Sequence, residues 1–290
     1  MHARWEWSMT VCVAVKVHDC IVFAADSATS LSATDASGNQ VIINIYENAN
    51  KVFNLHKGLP ICAMTAGIGN FGPSSISTMS KDLRRLFMSQ DADWMLNPQK
   101  YTLEEVAQKA RRYFFDKRFM AIDPAPQGTF DYWIGGYSSD AELGEIWRIQ
   151  IQNGNCENPV CVASPSQTTI EWGGQPEAIN RLLLGYGQAL PQALLDAGLD
   201  PNNLDGLLRH IVQRSQANVL SDAMPVIDAI KLAEFLVDTT KKFVQFLPGG
   251  NTVGGAVDVA TVTKHEGFKW ISRKHFYDRR LNPLETDHAN

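Results

Sequence analysis

Two apolar stretches near the start of the chain, residues 11–17 and 20–25, are separated by the turn-forming pair His18-Asp19. This pattern predicts a β-hairpin whose first strand starts beside Thr10 and whose second strand ends at Asp26. Because a hairpin folds its two outer ends onto the same side, we expect Thr10 and Asp26 to be neighbours.

The remaining pattern alternates between groups of strands and groups of helices. Strands are predicted at 41–46, 51–55, 59–66, 130–137, 144–151, 257–263 and 268–271. Apolar residues at helical spacing predict helices at 76–87, 102–118, 175–187, 204–219 and 225–242. The small, polar residues 30–40 predict a surface loop. This order favours sheets made largely of hairpins with helices packed on their outer faces.

The composition narrows the function classes. The chain has 290 residues, of which 44% are hydrophobic, and this suits one large domain or two small ones. Its net charge of −5, with scattered basic residues, argues against a nucleic-acid surface. No apolar run approaches the roughly 20 residues that span a bilayer, and the first eight residues lack the apolar core of a secretory signal. We therefore expect a cytoplasmic protein without a membrane partner.

The five cysteines are an odd number with no C-x-x-C spacing, which argues against a disulfide framework and a zinc site. Cys12, Cys20 and Cys62 lie in apolar runs and are interpreted as small core residues. Cys156 and Cys161 flank a predicted loop and could pair, although a reducing compartment disfavours this.

The first hairpin also carries candidate chemistry. If the nine residues before Thr10 were removed, Thr10 would carry a free α-amino group beside the carboxylate of Asp26. An amine that activates the hydroxyl of its own residue is the basis of an N-terminal nucleophile. The same residues also have ordinary interpretations, Thr10 as a strand former and Asp26 as the start of a turn.

Several segments in order along the chain resemble the proteasome-type branch of the N-terminal nucleophile hydrolases. They are TVCVAVKVHDCIVFAADSATS, NANKVFNLHKGLPICAMTAGIGN, FDYWIGGYSSDAELGEIWRI, GGQPEAINRLLLGY and NTVGGAVDVATVTKHEGFKWI. They are similar to the opening hairpin, the lysine-bearing strand, the central hairpin with its helix, and the closing hairpin of proteasome β subunits. Among members of this branch, we expect bacterial homologues whose chains begin at Met-Thr to be the most similar to this sequence.

This resemblance implies an α+β fold, a four-layer αββα sandwich of two antiparallel sheets. It implies that Thr10 is the nucleophile and that its α-amine is the general base. It further implies that Lys51 stabilises negative charge on the hydroxyl oxygen, that Asp26 holds Lys51, and that the backbone N–H of Gly67 contributes to the oxyanion site. Lys51 could instead be a solvated loop charge and Gly67 a plain glycine at a helix entry.

The sequence departs from the family pattern at several positions. Met9, not glycine, precedes Thr10, and Ala28 stands where the family often has arginine. Gly250 and Val253 replace an acid and a serine, and Gly173-Gly174 replaces Ser-Gly. We expect residues 1–9 to be a pro-segment or a misassigned start, 10–280 to be one proteasome-like domain of the N-terminal nucleophile type, and 281–290 to be a polar tail.

The main functional hypothesis is a threonine-type endopeptidase or amidase of proteasome type. It would hydrolyse peptide or protein substrates inside a self-associated ring or related particle, without a metal or organic cofactor. Two alternatives remain open: a catalytically silent structural ring subunit, and an amidase or acyl transferase that acts on small substrates. The sequence does not indicate whether an ATP-dependent unfoldase takes part.

Overall fold

The structure is a computed structural model, and it describes residues 10–34, 40–248 and 250–274. The predicted pro-segment at 1–9, the end of the predicted domain at 275–280 and the predicted tail at 281–290 lie outside the described residues.

Strands and helices occur in mixed order along these residues. The strands are β1 Val11–Lys16, β2 Cys20–Ala25, β3 Thr29–Thr34, β4 Gln40–Tyr46, β5 Val52–Asn54, β6 Ile61–Gly67, β7 Asn70–Phe71, β8 Ser74–Ser75, β9 Phe130–Gly136, β10 Glu145–Gln152, β11 Asn155–Cys156, β12 Val160–Ala163, β13 Thr169–Gly174, β14 Asp258–Thr263 and β15 Gly267–Ser272. The α-helices are α1 Ile76–Phe87, α2 Leu103–Arg111, α3 Glu177–Leu183, α4 Leu190–Asp196, α5 Pro201–Ser215 and α6 Val226–Gln245.

Two antiparallel sheets form the centre of the fold. The five-stranded sheet has the order β13-β1-β2-β14-β15. The six-stranded sheet has the order β11-β10-β9-β6-β5, with β12 also paired to β10. Every pairing in both sheets is antiparallel, as expected for sheets built from hairpins.

Alternation along β1 shows how the sequence fills the space on both sides of its sheet. All six residues of β1 are buried. Val11, Val13 and Val15 pack towards the helices, whereas Cys12 and Ala14 pack between the two sheets. Successive side chains of a strand point to opposite faces, so a strand covered on both sides is a nearly continuous apolar run.

Three apolar clusters separate four layers. One lies between the six-stranded sheet and helices α1 and α2, a second between the two sheets, and a third between the five-stranded sheet and helices α3 and α6. The predicted α+β class and four-layer αββα sandwich are confirmed.

The predicted helix over 102–118 is only partly a regular α-helix. Thr102 caps it as expected, because its hydroxyl accepts a hydrogen bond from the N–H of Glu105 at 3.1 Å. After α2 ends, the chain continues as a π-helix over Arg112–Arg118 and then as a short 3₁₀ turn. The buried residues Tyr113 and Phe114 lie in this wider turn and follow Val106 and Ala110 at helical spacing, so the apolar pattern does not distinguish the π-helix from a regular α-helix.

The predicted surface loop over 30–40 is wrong in its first half. Residues Thr29–Thr34 form β3, which pairs with β4 in a two-stranded hairpin separate from both main sheets. Small polar residues are typical of loops, but pairing with the apolar partner strand determines the local structure here. Strand β13 and helix α4 were not predicted.

The predicted core cysteines Cys12, Cys20 and Cys62 are confirmed as buried. Cys156 and Cys161 are also free thiols, so the possible pairing between them is not formed. Among the described helices, none has both the length and the apolar character needed to cross a membrane.

Candidate active site

The hairpin of β1 and β2 brings Thr10 and Asp26 together, as the sequence pattern predicts. Cys12 pairs with Ala25, and the N–H of Asp26 donates to the carbonyl of Val11 at 3.1 Å, one step beyond the ladder. The Thr10 hydroxyl Oγ1 donates to Oδ1 of Asp26 at 3.2 Å, and both residues are buried.

Lys51 reaches the same carboxylate from the other sheet. It directly precedes β5, and its carbonyl accepts a hydrogen bond from the N–H of Thr65 on β6 at 3.0 Å. Its ammonium Nζ donates to Oδ1 of Asp26 at 2.6 Å. The side chains of Lys51 and Asp26 are 7% and 0% exposed, so this ion pair is desolvated at the interface between the two sheets.

The carboxylate of Asp26 is held from several directions. Besides Thr10 and Lys51, Oδ1 accepts from the N–H of Val11 at 3.0 Å. Oδ2 accepts from the N–H groups of Ala28 and Gly254, both at 3.0 Å. Five donors fix both oxygens, so the position of the Lys51 ammonium is fixed with them.

Burial also changes the protonation chemistry around this carboxylate. Desolvation lowers the pKa of Lys51 from its ordinary value, and the negative charge of Asp26 opposes this shift. Burial raises the pKa of the neighbouring Cys12 thiol far above its usual range. A lysine whose pKa is lowered, but which is paired with a carboxylate, therefore lies near a thiol that stays neutral.

The backbone of Thr10 is fixed by the end of β13. The N–H of Gln175 donates to the carbonyl of Thr10 at 2.6 Å. Gly174 adopts a φ of +88°, and a Cβ there would lie 2.0 Å from the Thr10 carbonyl oxygen and 2.7 Å from its Cγ2 methyl. Glycine at 174 is therefore required by the close approach to Thr10.

The structure brings together three of the four residues singled out from sequence. Gly67 ends β6, is exposed, and has a φ of +86°. Within residues 10–34, 40–248 and 250–274, no hydrogen bond joins Gly67 to Thr10, Asp26 or Lys51. The oxyanion role of Gly67 stays a prediction.

The departure at Val253 and the glycine that follows it affect the site in different ways. Val253 is fully buried in the apolar cluster beneath the five-stranded sheet, so the side chain at this position supplies no polar group. Next to it, Gly254 uses its backbone N–H to orient the carboxylate of Asp26. Backbone contacts of this kind leave no signal in the side-chain pattern.

Sequence reasoning missed a second buried ion pair, between Lys274 and Asp258. It lies beside Ser27, the residue that follows Asp26. The ammonium of Lys274 contacts Oδ2 of Asp258 and donates to the hydroxyl of Ser27 at 2.7 Å. Asp258 stands on the inward-facing register of an apolar strand, and a buried acid there is the one sequence signal for this pair. In the described part of the chain, no group of three or more His, Cys, Asp or Glu residues is arranged to hold a metal ion.

Comparison with known proteins places the chain by fold alone. No protein-family model and no curated protein matches the sequence. Among solved structures, the chain is similar to the helical assembly of the Anbu complex from Pseudomonas aeruginosa, at 17% identity and a TM-score of 0.50, over 93% of this chain and 90% of that one. It is also similar to an Anbu (Gly-1) mutant from Hyphomicrobium sp. strain MC1, at 16% identity and a TM-score of 0.52, over 94% and 91% of the two chains.

These comparisons correct the expected subfamily. The sequence segments were interpreted as those of a proteasome-type N-terminal nucleophile hydrolase, a bacterial homologue of the proteasome β subunit. The solved structures it resembles are instead Anbu, or ancestral β-subunit, proteins, which are proteasome-like but distinct. The short segments that carry the likeness belong to the shared hairpin framework, so they indicate the fold more reliably than the subfamily. The chain has a proteasome-related fold.

Proposed function

We propose that this protein hydrolyses amide bonds with Thr10 as an N-terminal nucleophile. The observation that carries the proposal is the buried chain of contacts from the Thr10 hydroxyl through the Asp26 carboxylate to the Lys51 ammonium. The three side chains come from two sheets and converge on one point, which an ordinary strand threonine does not require.

The proposed reaction needs Thr10 to carry a free α-amine. That amine takes the hydroxyl proton while Oγ1 attacks the carbonyl carbon of the substrate and forms a tetrahedral oxyanion. The C–N bond then breaks, and the leaving amine takes the proton. Water hydrolyses the resulting ester and restores the hydroxyl of Thr10.

Each remaining residue has a role in this scheme. The Lys51 ammonium stabilises negative charge on the nucleophilic oxygen and lowers the pKa of the α-amine, which is ordinarily about 8. Asp26 fixes the ammonium in place. The backbone N–H of Gly67 is proposed as an oxyanion donor, and loss of one such donor typically costs about 100-fold in rate.

We further propose that residues 10–280 act as one catalytic unit in a self-associated particle. One similar structure is described as a helical assembly, and this chain exposes apolar side chains on an isolated hairpin. On β4, Val41, Ile42, Ile43 and Tyr46 are between 40% and 58% exposed. A two-stranded hairpin is marginally stable by itself, so contact with a second copy would both cover these side chains and support the hairpin.

Mass spectrometry of the protein purified from cells and covalent labelling test the nucleophile. The mature N-terminus is expected to be Thr10, and a peptide boronate or epoxyketone is expected to modify it. Thr10→Ala removes labelling, and Thr10→Ser retains part of it. Thr78→Ala, an exposed threonine on α1, serves as the matched control and leaves labelling unchanged.

Labelling that survives in Thr10→Ala would refute the nucleophile assignment. A second candidate is a structural subunit without activity, and it is favoured by the apolar burial of Val253 beside the site. That candidate predicts an assembled particle in which Thr10 is still internal to the chain and no label is taken up. Comparing turnover of peptides with that of small amides separates a peptidase from a small-substrate amidase.

Self-association is tested by Ile43→Lys. The substitution places a charge on the exposed face of the hairpin and is expected to shift the protein to smaller species in size-exclusion chromatography with light scattering. Lys57→Glu, on an exposed turn outside the hairpin, is the control. An unchanged particle size for Ile43→Lys would exclude the hairpin as the contact.

A further inference from the structure

We propose that Lys274 is a positioning residue for the Thr10–Asp26–Lys51 site, through its contact with Ser27. This inference rests on the proposed function. It assigns a role to a residue that lies 248 positions from Asp26 in the sequence and takes no direct part in the proposed reaction.

Lys274 is held by hydrogen bonds from both its backbone and its side chain. Its backbone N–H donates to Oδ1 of Asp258 at 3.0 Å, and its ammonium contacts Oδ2 of the same carboxylate. The ammonium also donates to the hydroxyl of Ser27 at 2.7 Å. The side chains of Lys274 and Asp258 are 7% and 2% exposed, so solvent screens this ion pair only weakly.

A short relay of hydrogen bonds connects Lys274 to the Asp26 carboxylate. The Ser27 hydroxyl donates to the carbonyl of Ala256 at 2.5 Å, and the Ser27 N–H donates to the carbonyl of Gly254 at 2.9 Å. The N–H of Gly254 then donates to Oδ2 of Asp26 at 3.0 Å. Lys274 therefore fixes the loop that orients the carboxylate on which Thr10 and Lys51 converge.

The second contribution of Lys274 is its charge. Burial is the main cause that lowers the pKa of Lys51, and three neighbouring groups modify it: the Asp26 carboxylate after β2, the Cys12 thiol on β1 and, with the smallest influence, the Lys274 ammonium after β15. The Cys12 thiol stays neutral because burial raises its pKa. Lys274 is thus the like charge that opposes protonation of Lys51, whereas Asp26 favours it.

The test measures the rate of boronate or epoxyketone labelling across pH for the full chain. In Lys274→Met, the rate is expected to fall about tenfold as the loop loses its anchor. The basic limb of the profile is expected to move to higher pH, because Lys51 keeps its proton more easily without a neighbouring cation. Lys274→Arg restores the position of the basic limb. Lys269→Met, an exposed lysine on β15, the strand that precedes Lys274, is the control and behaves as wild type.

The outcomes separate this inference from the proposed function. If the wild-type protein takes up no label, the proposed function fails. If the wild type is labelled and Lys274→Met shows the same rate and the same basic limb, the positioning role is overturned. Should Lys274→Met fail to fold, Ser27→Ala cuts the relay with little change in volume. It is expected to slow labelling about threefold without moving the basic limb, and a wild-type rate in that variant also overturns the relay.

Discussion

Two buried lysine–carboxylate pairs lie side by side in this protein, and each has a hydroxyl group beside it. Lys51 and Asp26 adjoin the hydroxyl of Thr10, whereas Lys274 and Asp258 adjoin that of Ser27. The two clusters contain the same chemical groups, but they differ in where the hydroxyl proton goes.

The Thr10 hydroxyl donates weakly, at 3.2 Å, to a carboxylate that already serves four other donors. The Ser27 hydroxyl donates at 2.5 Å to a backbone carbonyl and accepts from Lys274. Its proton and one lone pair are therefore both occupied by structural contacts. Of the two hydroxyls, that of Thr10 is therefore the one whose proton is held weakly enough to be removed in the proposed reaction.

The largest expected effect is that of Asp26→Ala. This substitution leaves Lys51 buried without its partner and removes the acceptor of five hydrogen bonds, so the free energy of unfolding is expected to fall by about 5 kcal/mol. Asp258→Ala is expected to cost about 3 kcal/mol, since that carboxylate receives its described hydrogen bonds from Lys274 alone. Denaturant unfolding at constant pH measures both.

A double variant checks the reason given for this difference. Asp26→Ala combined with Lys51→Met removes the unpaired charge and is expected to recover part of the lost stability. Equal costs for Asp26→Ala and Asp258→Ala would show that the number of hydrogen bonds does not distinguish the two pairs.

The next largest effect concerns activity. Lys51→Met is expected to lower the labelling rate of Thr10 by about 100-fold or more, because charge on the nucleophilic oxygen is then no longer stabilised. Lys274→Met acts only through position and charge at a distance, so its effect is expected to be about tenfold smaller. Similar losses in the two variants would contradict the distinction between a reacting site and a supporting one.

The pH dependence of activity gives a third, smaller effect. An ordinary lysine has a pKa of about 10.4. Burial lowers the pKa of Lys51, so Lys51 loses its proton at a lower pH than an ordinary lysine does. Activity is therefore expected to decline on the basic side before that pH is reached. In Lys51→Arg the cation stays protonated, and any activity that remains is expected to lack this decline. A basic limb that is identical in Lys51→Arg would assign it to another group.

A last effect concerns the glycine next to Thr10. Gly174→Ala places a methyl group against the Thr10 carbonyl oxygen and is expected to slow labelling about tenfold, because the hydroxyl is displaced from its attack position. Gly198→Ala is the matched control, since that glycine has a similar φ of +94° but no atom within 4 Å of the added methyl. Equal labelling rates in the two variants would show that strain alone, without contact with Thr10, explains the result.

The sequence predicts the framework better than the details of the site. The two apolar runs on either side of His18-Asp19 correctly indicated the first hairpin and hence the proximity of Thr10 and Asp26, because hairpin geometry follows from local pattern. Helix α6 lies within a few residues of its predicted range, since its apolar stripe is long. By contrast, β13 is polar in part and ends in two glycines, and its pairing with β1 is a long-range contact that local pattern does not encode.

The parts of the site that escaped prediction depend on tertiary structure. The interaction of Lys274 with Ser27 joins residues 247 positions apart, and the Gly254 contact with Asp26 uses only the backbone. Lys51 entered the hypothesis through family likeness alone, since a single lysine after a polar loop has no distinctive pattern. That same likeness gave the wrong subfamily, because the short hairpin segments that carry it indicate the fold without distinguishing proteins that share it.

The burial of the cysteines has a practical and a physiological consequence. Burial raises the pKa of Cys12, Cys20 and Cys62, so these thiols stay protonated and shielded from solvent. Thiolates, not thiols, react with alkylating agents and peroxides. Iodoacetamide can therefore be present throughout a labelling experiment without competing at these three positions, and oxidative stress in the cell has no direct route to the sulfur atom beside Lys51.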